Sequence, residues 1–191
     1  MKASILHRAI DIYTPHLSLK SRKELASICE EQNFKSGTLL FKPNQPEQSE
    51  YILLQGIAHT FLLNFEGEEI TLSFFEDNTV LPPFVTRTQK GKSILHCKAI
   101  TDCTFVQIDA KAFESLMIDN LEIREFGNTV LRQELLNKVN KEIRMASWSA
   151  KERLEQFRRD FSMLENKIPH PMIASYLGIT NVSLSRLRKQ T

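Results

Sequence analysis

The chain has 191 residues, a formal net charge of +2 at pH 7, and 41% hydrophobic against 25% charged residues. That apolar content supports a real core in one large or two small domains. No apolar run is long enough to cross a bilayer, and three cysteines without a close-spaced pair fit neither a disulfide framework nor a CxxC metal site.

Residues 1–34 read as helical. Ile5, Ala9 and Ile12 recur at helical spacing, and Leu25 and Ile28 follow a start signal at Ser18 and Ser21. Arg8 and Asp11 interrupt the first apolar stretch, which therefore reads as an amphipathic helix rather than a signal peptide. Cys29, Cys97 and Cys103 are expected to be small buried apolar residues. A cytoplasmic protein is the expectation.

From Phe34 to about Asp109 the period changes. Short β-runs cover Thr38–Phe41, Tyr51–Leu54, Ala58–Leu63, Glu69–Phe75, Ser93–Ala99 and Thr104–Ile108. Gly37, Pro43–Pro46, Gly56, Glu66–Gly67, Asp77–Asn78 and Thr101–Asp102 punctuate them, and Asn64–Glu68 reads as a hairpin connection. Regularly spaced strands of this kind predict an N-terminal double-stranded β-helix, or jelly-roll, barrel with flanking helices, within an α+β chain.

From Ala110 onward the pattern is helical again. Ala112, Leu116 and Met117 mark a short helix, and a longer one is expected over about Leu121 to Arg144. In the latter Leu131, Leu135, Val139 and Ile143 stand four apart, with Leu136 beside them. Such a stripe must pack on something, either the chain's own barrel or a second copy as a homodimer seam. Ser147-Trp148-Ser149 breaks the pattern. The expected division is 1–118 for an effector domain, 119–148 for a dimerisation helix and hinge, and 149–191 for an all-α domain.

The C-terminal stretch is the most informative. Ile173 and Leu177 share one helix face, Ala174 leaves room for close approach, and Gly178 can end the helix in the left-handed conformation. Ile179 fills the corner and Thr180 suits the N-cap of the next helix. Leu184 and Leu187 form that helix's inner stripe. Asn181, Val182, Ser185, Arg186 and Lys189 are left outward. This is the helix-turn-helix pattern, whose second helix can enter the DNA major groove. Asn181 and Arg186 suit base edges, while Ser183, Arg188 and Lys189 suit phosphates. Residues 149–191 hold eight Lys/Arg against four Asp/Glu, and the rest of the chain 17 against 19. A basic reader on a slightly acidic body fits. A solvated helical hairpin is the plainer alternative.

In this order of parts the chain resembles the Crp/Fnr family of bacterial transcription regulators, in the compact version common among Bacteroidetes members. The resemblance rests on Phe34-Lys35-Ser36-Gly37, on Tyr51 to Gly56, on Ala99 to Cys103, and above all on Ile173 to Thr180 and Ser183 to Arg188. It implies a cyclic-nucleotide-binding-type barrel, a long dimer helix and a DNA reader. Asn181, Val182 and Arg186 then fall at base-facing positions and Ser183 at a phosphate-facing one; Thr180, Ser185, Arg188 and Lys189 complete the expected interface. Double-stranded DNA and a second copy are the expected partners, with RNA polymerase and an unidentified small-molecule effector as further candidates.

Members that bind cAMP hold the ribose with a Gly-Glu pair and the phosphate with an Arg-Ser pair. Here the corresponding stretch, Thr79 to Val85, has neither Gly nor Glu, and Lys92-Ser93 stands in place of Arg-Ser. A regulator that does not respond to cAMP is expected, with any effector pocket near Phe74, Leu81, Pro83, Phe84, Lys92 and Ser93. The N-terminal cysteine cluster of iron–sulfur members is absent. His59 and His96 could ligate haem, but a lone His on a strand is more often structural. Neither a cofactor nor a metal is expected. No His-x-His pair, nucleophile elbow, Walker loop or dinucleotide fingerprint points to an enzyme. The alternative is a small-ligand or cyclic-nucleotide sensor that does not act through DNA.

Overall fold

The computed structural model describes residues 3–189, with side chains from Ile5 onward. Residues 1–2 and 190–191, the outermost of the expected domains, lie outside the described residues. The chain separates into two compact units, Met1–His59 with Phe74–Leu135, and Thr60–Ser73 with Leu136–Thr191.

The first unit opens with helices α1 (Ala3–Tyr13) and α2 (Leu19–Ser27). The Ser18 hydroxyl caps α2 by accepting from the Ser21 N–H. The chain then turns into strand β1 (Cys29–Phe34), which corrects the helical reading of residues 1–34. Its sequence, CEEQNF, has little strand propensity. What makes it a strand is antiparallel pairing with β10 (Cys103–Asp109), in register from Cys29 opposite Ile108 to Phe34 opposite Cys103.

Strands β2 (Leu39–Phe41), β3 (Ser49–Gln55), β4 (Ala58–Leu63), β5 (Glu69–Phe75), β6 (Thr79–Val80), β7 (Thr88–Gln89), β8 (Lys92–Ser93) and β9 (His96–Ala99) follow, with a one-turn helix α3 (Phe84–Arg87) between β6 and β7; the Thr60–Ser73 part of β4 and β5 belongs to the second unit. One sheet runs β1-β10-β3-β6, a second β2-β9-β4-β5, and β7-β8 is a separate ribbon. The expected single run Ser93–Ala99 is thus two strands. Lys90 and Gly91 have positive φ at the ribbon's two-residue turn, and Lys92 bridges to Pro46. The strand pairings are those of two open four-stranded sheets, not of a closed barrel.

Alternation along β3 and β10 builds two cores. Tyr51, Leu53, Cys103 and Phe105 face a cluster with Phe41, Ala58, Phe75, Leu81, Cys97 and Ala99, drawn from both sheets. Ile52, Leu54, Val106 and Ile108 face the opposite way, onto Leu6, Ala9, Ile10 and Leu25 of the N-terminal helices and onto Ile123, Phe126 and Val130. Those last three belong to α5 (Leu121–Ser147), a 27-residue helix that follows α4 (Ala110–Asp119). Gly127 lets the two approach, because a Cβ there would stand 2.4 Å from the Met117 sulfur.

The second unit contains the later part of α5, then α6 (Ala150–Asp160), a 3-10 turn over Leu164–Asn166, α7 (His170–Leu177) and α8 (Asn181–Lys189). A capping box between Ser149 and Glu152 starts α6. Leu154, Phe157, Leu164, Ile168, Ile173, Ala174, Leu177 and Leu184 are buried. Within the same unit the 60–73 hairpin meets the helices. Lys141 Nζ donates to the Leu72 carbonyl at 2.7 Å, and the Thr71 N–H donates to the Ser175 hydroxyl at 3.1 Å. No helix among the described residues is long and apolar enough to cross a membrane.

Candidate nucleic-acid interface and ligand pocket

The turn between α7 and α8 is built by backbone hydrogen bonds. Gly178 takes φ +64, its N–H donates to the Ser175 carbonyl at 3.1 Å, and the Ile179 N–H reaches back to the Ala174 carbonyl at 3.0 Å. This closes α7 with a Schellman motif that needs a left-handed residue, hence glycine. The Thr180 hydroxyl then accepts from the Ser183 N–H at 3.1 Å and starts α8. On α8 Leu184 is buried and Leu187 half-buried, while Asn181, Val182, Ser185, Arg186 and Lys189 are exposed.

The basic residues differ in their attachments. Among the described residues Arg186 and Lys189 have no ion-pair partner. Arg188 is held inside its own unit: its Nε lies 2.8 Å from Glu165, and its Nη1 lies 2.6 Å from His170 Nε2. Glu165 also takes Arg158 at 2.7 Å, and the Arg158 hydrogen bond, ahead of the Coulomb attraction of Arg158 and Arg188, holds its carboxyl below the usual range. Arg188, expected to face phosphates, therefore braces α8 against the 164–166 turn and α7. The sequence contained its partners, but at 18 and 23 residues' separation no local spacing rule joins them. The Ser183 hydroxyl, expected at a phosphate, lies 2.9 Å from the Thr180 hydroxyl.

The expected dimer residues lie along α5 and are exposed: Leu131 40%, Leu135 62%, Val139 43% and Ile143 52%, with Leu136 at 51%. At four-residue spacing on one continuous helix they form a stripe that stays exposed among the described residues.

The expected pocket residues are not brought together. Phe74, Leu81 and Ser93 are buried in the packing, Lys92 is exposed on the β7-β8 ribbon, and Pro83 and Phe84 line a cavity elsewhere. The space between the two sheets holds a residue that sequence reasoning passed over. Arg87 is fully buried, its guanidinium 4.6 Å from the Phe41 ring centre and 5.3 Å from that of Tyr51. Its Nε donates to the Pro82 carbonyl at 2.9 Å, its Nη2 bonds the Ser49 carbonyl, and Nη1 lies 3.7 Å from the buried Glu47 carboxylate. Nothing in the local pattern around Thr86-Arg87-Thr88 marks this arginine as internal.

The cavity has a volume of about 400 Å³ and lies on the helix-facing side of β3, bounded by α3, α4 and α5. Its walls include Ile52, Phe84, Ile108, Phe113, Met117 and Phe126, and Glu50 enters it from β3. Both Glu50 carboxylate oxygens accept from the Phe84 N–H, at 2.8 and 3.0 Å. Burial pushes this carboxyl up to about 7, against the opposing pull of that N–H and of Arg87, with Glu47 adding to the rise. Strand alternation does contain this signal, since Glu50 has the parity of Ile52 and Leu54.

Residues 31–120 match the family model of the cyclic nucleotide-binding domain. The global nitrogen regulator of Synechococcus elongatus is 24% identical over 173 residues, covering 82% of this chain and 76% of its own. Among solved structures, the c-di-GMP responsive global regulator CLP of Xanthomonas campestris superposes with a TM-score of 0.72 at 14% identity, covering 91% of each chain. A protein of Eubacterium rectale described as a transcriptional regulator of the Crp/Fnr family gives 0.71 at 20% identity, over 92% of this chain and 84% of its own.

Proposed function

We propose that this chain is a DNA-binding transcription regulator of the Crp/Fnr type that reads duplex DNA with α8 and works as a homodimer. The observation that carries the reading is the division of α8. Leu184 is buried against its own unit, while Asn181, Val182, Ser185, Arg186 and Lys189 stand exposed together after a capped, glycine-hinged turn. Asn181 and Arg186 would meet base edges, with Val182 and Ser185 beside them. Thr180, Ser183 and Lys189 would meet the backbone, and Arg188 would hold the helix in position. The exposed stripe of α5 supports a two-fold pairing that would present two such helices to two half-sites. The domains are proposed as 1–118 for sensing, 119–148 for dimerisation and hinge, and 149–191 for reading.

The sensing part would not answer to cAMP. Thr79 to Val85 offers no ribose-holding carboxylate, and Lys92 is exposed on its ribbon. The cation that does lie between the sheets, Arg87, is already committed to Glu47 and two carbonyl groups. A cyclic phosphate would have to break that arrangement and leave Glu47 buried beside it.

The test is a titration of fluorescent duplex DNA with the purified chain at several salt concentrations. Binding should weaken linearly in log–log form, with a slope of several units. Absence of salt-dependent duplex binding would leave the ligand-binding module as the better reading.

A further inference from the structure

The cavity beside β3 is separate from the interior between the sheets. Tyr51 and Leu53 face that interior, whereas Glu50 and Ile52, of opposite parity, face the helices. About 400 Å³ lies within the range of small-molecule pockets, and well-packed cores leave few voids larger than one water molecule. Its walls are mostly aromatic and aliphatic, with one carboxylate among them. An ionised carboxylate only accepts hydrogen bonds and has about four lone-pair sites. Among the described residues the donor that Glu50 meets is the single Phe84 N–H, so most of its accepting capacity is left over. Lys111 and Glu114, both exposed, supply one charge of each sign among the remaining lining residues and do not bias the site toward an anion.

We propose that this cavity binds an apolar amine, its body against Ile52, Phe84, Phe113 and Phe126 and its ammonium group on Glu50. The head group is chosen by chemistry. A carboxylate ligand would set two anions side by side away from water, and a purely apolar ligand would cover Glu50 without giving it a donor. An ammonium group provides up to three N–H donors and a compensating charge.

The experiment uses the full chain without DNA, so its outcome does not depend on whether α8 reads DNA. 1-Naphthylmethylamine, 1-naphthylmethanol and 1-naphthoate share one ring body and differ in head group. Isothermal titration at pH 8 should show saturable binding of the amine, weaker binding of the alcohol and none of the naphthoate. Glu50→Gln should weaken the amine by about tenfold or more, the scale of a charged hydrogen bond, and change the alcohol little. Ala110→Phe, which adds a ring at the cavity wall, should abolish both. Melting curves report whether the variants fold; where one does not, the ranking of the three probes on the unaltered chain decides. No saturable binding of the amine overturns the proposal, whether the cavity is closed by its own side chains or by a second copy at Leu131. Equal binding of the three probes, or amine binding indifferent to both substitutions, overturns it as well.

Discussion

Arg186 and Lys189 stand three residues apart on α8, both exposed, yet their side chains suit different tasks. The guanidinium fork of Arg186 matches the two acceptors of a guanine edge, while the Lys189 ammonium is a point charge suited to phosphate. Arg186→Ala should cost about 1–3 kcal/mol on a preferred site and relax selectivity there. Lys189→Ala should weaken all sequences alike and reduce the salt slope by about one unit. Competition titrations with specific and random duplexes measure both, and equal losses on the two for Arg186→Ala would exclude base reading. Glu50 gives a second expectation. Its carboxyl is raised from 4.5 to about 7 in the folded chain, so the unfolded state releases the proton first. The group's contribution is complete below pH 4.5 and is lost as pH rises through about 7, by at most roughly 3 kcal/mol. Glu50→Gln should remove that part of the pH dependence, so the unaltered chain minus the variant in stability should fall between pH 4.5 and 8. A flat difference would mean that Glu50 titrates as in water.

At the scale of elements, α5 carries an exposed apolar stripe. It buries Ile123, Phe126 and Val130 and then leaves its apolar stripe exposed. Leu135→Asp with Val139→Asp would put two charges in the proposed seam, at a cost of several kcal/mol. The double variant should sediment as a folded monomer and lose tight DNA binding. An unaltered chain already monomeric at micromolar concentration without DNA would contradict the seam. Elements were legible in proportion to how locally they are determined. The 121–147 helix and the turn at Gly178 follow from periodicity, a missing Cβ and a cap three residues from its target. Strand β1 does not: CEEQNF is polar, and its conformation comes from β10, about 70 residues away. Helix α3 is four residues long and held by the contacts of its Arg87 with Glu47 and Ser49 and of its Phe84 N–H with Glu50, which no window in the sequence displays.

At the scale of the whole molecule, the outward resemblance to cyclic-nucleotide sensors was readable, whereas the content of the space between the sheets was not. The absent Gly-Glu pair is a local fact. The buried Arg87–Glu47 pair joins residues 40 apart and depends on burial and on the Phe41 and Tyr51 rings. Both lead to one expectation. A ligand that binds only the folded state raises its stability by about 2.7 kcal/mol at a hundredfold excess over the dissociation constant. Millimolar cAMP or cGMP should leave the melting temperature unchanged. A clear rise with cAMP would contradict that expectation.

On this reading a symmetric pair of α8 helices reads DNA sequence-selectively. Selection of duplexes from a random pool by the purified chain, with Arg186→Ala carried in parallel, tests it most directly. The expected result is enrichment of a two-fold symmetric site, its half-sites about 34 Å or a multiple apart, that the variant fails to enrich at the same positions. No enrichment above the starting pool, or an unsymmetric site enriched equally by chain and variant, would contradict it.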